Sequence, residues 1–160
     1  MRTLLALTAA SACVLLWARR RLLMITVRGL SMTPAYHPGD RVLVRRVPPT
    51  RIRTGDVVVV EQPPPHWSTR QSNPEWVIKR VAATPGDPVP AGLADTQPDG
   101  LADAQPDGLA DAQPDGTVPD GCLVVLGDNP DESYDSRHYG YIQADRLIAL
   151  VVRRMHRAQA

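Results

Sequence analysis

Four short segments hold residue types that can do chemistry. GLSMTPAYHPGD (29–40) sets Ser31 between Gly29 and Pro34, a setting that can present a hydroxyl and nearby backbone N–H groups. GDVVV covers 55–59, and VIKRVAATPGD (77–87) holds Lys79 inside an apolar run. GDNPDESYDSRHYG (127–140) is dense in turn formers and in charges that can pair. A serine hydroxyl is a poor nucleophile until a base takes its proton. A lysine is such a base only when neutral, which needs burial to lower its pKa. Val77, Ile78 and Val81 can supply that burial if the Lys79 side chain points inward. Taken singly, a Ser or a Lys is read as an exposed surface residue; the four segments in this order argue against that reading.

The composition sharpens the case. Of the 18 basic residues only Lys79 is a lysine, and the other 17 are arginines. Arginine keeps its proton in a protein, whereas a buried lysine can lose it. A coding bias towards Arg explains the count equally well until the neighbours of Lys79 are read. The formal net charge of +1 gives no electrostatic case for nucleic acid. Cys13 and Cys122 match no disulfide or metal pattern and are expected as free thiols, and His37, His66, His138 and His156 lack ligand spacing. Neither a metal nor a cofactor is expected.

The elements that must position these residues are strands. Sixteen prolines argue against a helical bundle, and the absence of Phe leaves a core of Val, Leu, Ile and Ala. Strands are predicted at 24–28, 41–47, 56–61, 76–82, 122–126 and 147–154, most bounded by Gly, Pro or Asp turns. No long 3.6-residue period follows the N-terminal stretch, so the fold class is mainly β. Residues 92–115 are three copies of an octapeptide, GLADTQPD, GLADAQPD, GLADAQPD, too polar to build a core and expected as a disordered surface loop. Residues 3–18 are apolar and uncharged, and at helical rise reach roughly 24 Å, which flanking Arg19 and Arg20 and the following Leu22, Leu23 and Met24 can extend to span a bilayer. The division expected is a membrane anchor over 1–23 and a β domain over 24–154, with the repeat insert at 92–116. A cleavable signal ending at Ala10-Ser11-Ala12 is the rival reading, and it strands the apolar VLLWA after the cut.

The four segments resemble the signal peptidase I family of serine proteases, whose pattern runs Gly-x-Ser-Met-x-Pro, Gly-Asp-x-Val, Lys-Arg-x-x-Gly-x-Pro-Gly-Asp and Gly-Asp-Asn-x-x-x-Ser-x-Asp-Ser-Arg-x-x-Gly. The resemblance covers about residues 24–150 outside the insert. It implies a compact β catalytic domain with one N-terminal transmembrane helix, the catalytic domain lying on the outer face of the cell membrane. It implies Ser31 as nucleophile, Lys79 as general base and Ser133 as the hydroxyl orienting the Lys79 amine. The Ser31 N–H would serve the oxyanion hole. Asp135 and Arg137 would form a structural ion pair, and Asp128 would also be structural. Gly29, Met32 and Pro34 would shape the substrate cleft, with Met32 beneath it. The partners implied are the lipid bilayer and extended preprotein signal peptides, added strand-fashion and cut after small residues. Asp128 and Asp135 are expected to be held away from the amine, Asp135 by Arg137.

Three positions depart from the pattern. Ala83 stands for the Gly after Lys-Arg, Ala35 for a usual Thr, and Gly29 where some members place a serine hydroxyl. The short central region fits the small members of the family, among them mitochondrial inner-membrane peptidases and dedicated maturation proteases. Removal of signal peptides from exported preproteins is the function expected. The alternatives are a protease for one client and an inactive membrane-tethered β module. A Ser31–His138–Asp135 triad leaves the surroundings of Lys79 unexplained. The Arg distribution around the apolar stretch, Arg2 before and Arg19–Arg21 after, opposes the outer-face orientation.

Overall fold

The computed structural model describes residues 22–63, 75–91, 93 and 116–155. The whole of the N-terminal apolar stretch at 3–18 and nearly all of the octapeptide repeat lie outside them. Seven strands form one antiparallel sheet: β1 (Leu22–Thr26), β2 (Arg41–Arg45), β3 (Val57–Gln62), β4 (Glu75–Ala83), β5 (Cys122–Leu126), β6 (Ile142–Gln143) and β7 (Leu147–Met155). Their order across the sheet is β1-β2-β7-β3-β4-β5-β6. A single short α-helix, α1 (Ser136–Tyr139), lies between β5 and β6 among the described residues, beside three 3-10 turns at Pro49–Arg51, Pro130–Glu132 and Ala144–Arg146. None of the helices there is long and apolar enough to cross a membrane. The first strand starts at Leu22, so Leu22, Leu23 and Met24 belong to the sheet and do not lengthen the apolar stretch before them.

The valine run of β3 explains how one sheet organises the chain. Successive side chains of a strand point to opposite faces. Val57 and Val59 pack with Val27, Met32, Val42, Val44, Ile78 and Ala149, whereas Val58 and Val60 pack with Ile52, Val81, Leu123, Val125, Tyr139 and Ile142. Both faces of β3 are thus buried, which is why its sequence is continuously apolar and not alternating. A third cluster holds Ala83, Val118, Cys122 and Val124, and Leu93 of the first repeat copy packs against it. Cys122 is a free, buried thiol. The base of the insert is closed by backbone bonds from Gly86 to Val118, from Val118 to Asp87 and from Val89 to Gly116.

Candidate active site

Lys79 lies midway along β4, opposite Val58 of β3. Its strand neighbours on the same face, Val77 and Val81, pack in the cluster around Val58 and Val60. Ile78 points to the other face and packs with Val57 and Val59, so it does not contribute to the burial of Lys79 in the way the sequence suggests. The lysine is 2% exposed. Burial lowers its pKa below the ordinary lysine value; the Asp135 charge opposes this and the Arg137 charge assists it.

The Lys79 Nζ donates to Ser133 Oγ at 2.7 Å, and Ser133 Oγ donates to Asp135 Oδ2 at 2.6 Å. A carboxylate only accepts, so the single Ser133 proton goes to Asp135 and its oxygen accepts from Lys79. A neutral amine that donates one N–H this way keeps its lone pair free for another partner. Asp135 is 0% exposed. It also accepts from Gly127 N–H at 2.8 Å, from Arg137 Nε at 2.9 Å and N–H at 3.1 Å, and from the far end of the Arg137 guanidinium at 2.6 Å. Burial raises its pKa, but the Arg137, Gly127 and Ser133 bonds outweigh it and the net shift is downward, so the carboxyl stays ionised. The helix α1 starts here: Asp135 caps it, and Ser136 Oγ accepts from Val125 N–H at 2.9 Å, fixing the turn to β5.

Ser31 is brought to this group through Gly127. A Cβ on Gly127 would meet the Ser133 Oγ, and would lie 2.6 Å from both Ser133 Cβ and the Ser31 carbonyl oxygen. The bare backbone of Gly127 therefore fills the space between the turn that carries Ser31 and the hydroxyl bonded to Lys79. Asn129 holds the Ser31 turn from the same loop. Its N–H donates to the Ser31 carbonyl at 3.0 Å, and its Nδ2 donates to Thr33 Oγ1 at 3.0 Å and to the Leu30 carbonyl at 3.3 Å. Met32 is buried with Val27 and Val42, Gly29 takes a positive φ of 74°, and Pro34 follows a cis peptide bond. The positive φ is the physical reason for Gly at 29.

Asp128 lies apart from the amine. It pairs with Arg80, with Oδ1 accepting from Nε at 2.8 Å and Oδ2 from the other nitrogen at 2.7 Å. Arg80 in turn donates to the Gly55 carbonyl at 3.0 Å, and Asp87 accepts from Thr54 Oγ1 at 2.7 Å. These bonds tie β4 just after Lys79, and the turn that follows the strand, to the turn at Thr54 and Gly55. Asp135 is not held away: one hydroxyl separates it from the amine. Arg137 balances its charge and does not displace it. The roles of Arg80, Gly127 and Asn129 escape sequence reasoning, although all three lie in the segments at 77–87 and 127–140 that the sequence singles out.

His138 does not sit as a triad base. Its Nδ1 accepts from the Asp135 N–H at 3.3 Å as half of the α1 capping box, and its ring lies 5.0 Å from that of Tyr134. A triad needs the opposite bond, with the ring N–H donating to the carboxylate.

The family described as "Signal peptidase, peptidase S26" matches residues 1–156. A Signal peptidase I of Leptolyngbya laminosa is 33% identical over 133 residues, which are 76% of this chain and 63% of that protein. A Signal peptidase I of Bacillus caldolyticus is 47% identical over 34 residues, 21% of this chain and 19% of that protein. The probable thylakoidal processing peptidase 2, chloroplastic, of Arabidopsis thaliana is 28% identical over 128 residues, 77% and 35% of the two chains. The match thus spans less than two thirds of each of these relatives. The chain belongs to the signal peptidase family, peptidase S26.

Proposed function

We propose that this member of the signal peptidase family is a membrane-bound serine endopeptidase that removes N-terminal signal peptides from exported preproteins, cutting after small residues. Ser31 is the nucleophile and Lys79 the general base. The observation that carries this reading is the burial of the chain's one lysine against Ser133, beside the turn that holds Ser31. The neutral amine takes the Ser31 proton as Oγ attacks the scissile carbonyl carbon. The oxyanion that forms is met by the Ser31 N–H. Collapse breaks the peptide bond, and the Lys79 ammonium returns its proton to the departing amine, leaving an ester on Ser31. Lys79, neutral again, takes a proton from water as the water oxygen attacks the ester, then gives that proton to Ser31 Oγ as the ester bond breaks, which restores the hydroxyl and the neutral amine and releases the peptide acid, ionised in water.

Ser133 orients the amine, Arg137 balances Asp135, and Asp128 with Arg80 steadies β4. Gly29, Met32 and Pro34 shape the wall of the cleft. An extended substrate has a strand edge to join: β5 pairs with β4 only from Arg80 onward, which leaves the Glu75–Lys79 edge without a strand partner on that side among the described residues. The segment before β1, residues 1–21, tethers the domain to the outer face of the membrane. The test is cleavage of a presequence ending in small-x-small by the full chain and by Ser31→Ala and Lys79→Arg. Both variants are expected to fold and to be inactive; Lys79→Arg keeps a cation at the site at every pH and cannot deprotonate. Turnover by a folded Lys79→Arg protein would remove Lys79 as base.

A further inference from the structure

We propose that Arg154, near the end of the last strand, is a positioning residue for Ser31, acting through the loop between β1 and β2. The inference rests on the reading of Ser31 as nucleophile. That loop leaves the sheet at Val27 and returns at Asp40, and backbone bonds from Val27 N–H to the Asp40 carbonyl (2.8 Å) and from Gly39 N–H to the Val27 carbonyl (3.0 Å) close its base. Inside it a further bond, Tyr36 N–H to the Met32 carbonyl at 2.8 Å, ties the residue after Ser31 to the downstream limb. Ser31 therefore moves with a small closed unit.

Two residues from distant parts of the chain grip this unit. Asn129 bonds the upstream limb at Leu30, Ser31 and Thr33. Arg154 grips the downstream limb at three points: it pairs with Asp40 Oδ2 at 2.8 Å, donates to the Ala35 carbonyl at 2.9 Å, and sets its guanidinium carbon 5.9 Å from the centre of the Tyr36 ring. The backbone of Arg154 is fixed opposite Val42 in the β2–β7 ladder, so the grip is referred to the rigid sheet. Arg153 faces the other way, opposite Leu43, and cannot substitute.

The chemistry of the contact requires arginine. A planar fork can serve an anion and a carbonyl while stacking on a ring, whereas an ammonium is a point charge. Asp40 is 1% exposed; besides Arg154 its Oδ2 accepts from His37 N–H at 2.8 Å, and its Oδ1 has no partner among the described residues. Loss of Arg154 therefore frees the downstream limb and leaves a buried carboxylate without its cation.

The experiment uses the full chain and a presequence substrate. It compares the wild type with Ser31→Ala, Arg154→Ala, Arg154→Lys and the double variant Asp40→Asn/Arg154→Ala in kcat, KM, pH profile and thermal midpoint. The double variant removes the uncompensated charge and so restores folding if Arg154→Ala alone is lost. Expected is a fall in kcat of roughly 10- to 100-fold in folded Arg154→Ala and in the double variant, with KM little changed, since a misplacement of ~1 Å costs about that much. Arg154→Lys should recover part of it, and the pH midpoint should stay put because Arg154 does not touch Lys79. Wild-type kcat in the folded double variant, or recovery of kcat in step with the thermal midpoint, overturns the inference while leaving Ser31 as nucleophile. Cleavage by Ser31→Ala overturns the nucleophile assignment and this inference with it.

Discussion

Gly127→Ala tests the packing of the site with a single methyl group. Gly127 is not among the glycines with positive φ, so alanine meets no backbone penalty there and the whole effect is steric. The new Cβ would lie 2.6 Å from the Ser31 carbonyl oxygen and from Ser133 Cβ, and nearer still to Ser133 Oγ. Ordinary contact begins at 3.4 Å, so both the Ser31 turn and Ser133 must give way, the Ser31 carbonyl by about 0.8 Å and the Ser133 hydroxyl by more. Asn129 holds the first and Asp135 holds the second, so neither can retreat without losing hydrogen bonds. Overpacking of this kind costs about 1–3 kcal/mol, which a folded domain tolerates. A displacement near 1 Å between nucleophile and base costs about 100-fold in rate. The assay is presequence cleavage with a thermal melt in parallel, and Ser31 reactivity towards a serine acylator as a second readout. The expected result is a modestly destabilised protein with kcat down by about two orders of magnitude. Wild-type kcat and an unchanged melt would show that Gly127 does not separate Ser31 from Ser133, and the geometric case for the dyad would fail.

Other expectations follow from the same site. Cleavage should rise with pH through one ionisation below the ordinary lysine value, since burial lowers the Lys79 pKa, and a rise near pH 6.5 abolished by His138→Ala would transfer the base to histidine. Lys79→Met should stabilise the domain at neutral pH. The depressed folded pKa means the unfolded chain binds the extra proton, so the penalty is full below the folded pKa and vanishes as pH rises to about 10.4, a tenfold loss of proton affinity on folding being worth about 1.36 kcal/mol; a denaturation series whose gain fails to shrink with rising pH would refute this. Asp135→Asn should move the pH midpoint of cleavage further down, because the charge that opposes the lowering of the Lys79 pKa is gone, and an upward movement would show that Asp135 acts otherwise. Deleting residues 100–115 should change stability by less than about 1 kcal/mol, as each doubling of loop length costs only ~0.6 kcal/mol and the bonds closing the insert at Gly86–Val89 and Gly116–Val118 remain. A larger loss by chemical denaturation would mean that the second and third copies pack.

The strands are legible because Val, Ile and Leu runs between turn formers leave few alternatives: six of the seven are expected from the sequence, with ends displaced by no more than two residues. The exception, β6, has two residues, too few to carry a period. The four-residue α1 is equally short, and its capping box uses Asp135 and His138 where the usual signature has Ser or Thr and Glu. The order β1-β2-β7-β3 is not legible, since it sets the last strand between the second and third, and no local pattern encodes a pairing of that range. The face of each side chain is legible only where a strand alternates. In β4 the run WVIKRVA is apolar on both sides of Lys79, so composition alone credits Ile78 to the wrong face.

At the site the residue types are readable and their electrostatics are not. Composition says that Asp135 threatens a neutral lysine, and distance is the obvious remedy. The fold uses saturation instead. Five donors converge on the two Asp135 oxygens: the Gly127 N–H, the Ser133 hydroxyl, and the N–H, Nε and terminal nitrogen of Arg137. A carboxylate offers about four lone-pair sites, so no acceptor capacity is left for a direct bond from Lys79. Ser133 must then stand between them, and its one proton, drawn to the carboxylate, turns its oxygen towards the amine. The acid therefore acts on Lys79 twice. Through space it raises the pKa, opposed by Arg137 and outweighed by burial. Through Ser133 it fixes where the amine donates, and so which direction its lone pair faces. A more distant Asp135 would favour the neutral amine further but leave Ser133 free to turn. Holding the acid close and saturated gives up part of the lowering of the Lys79 pKa in return for direction, and the Asp135→Asn experiment separates the two: the midpoint should fall while kcat at high pH falls as well.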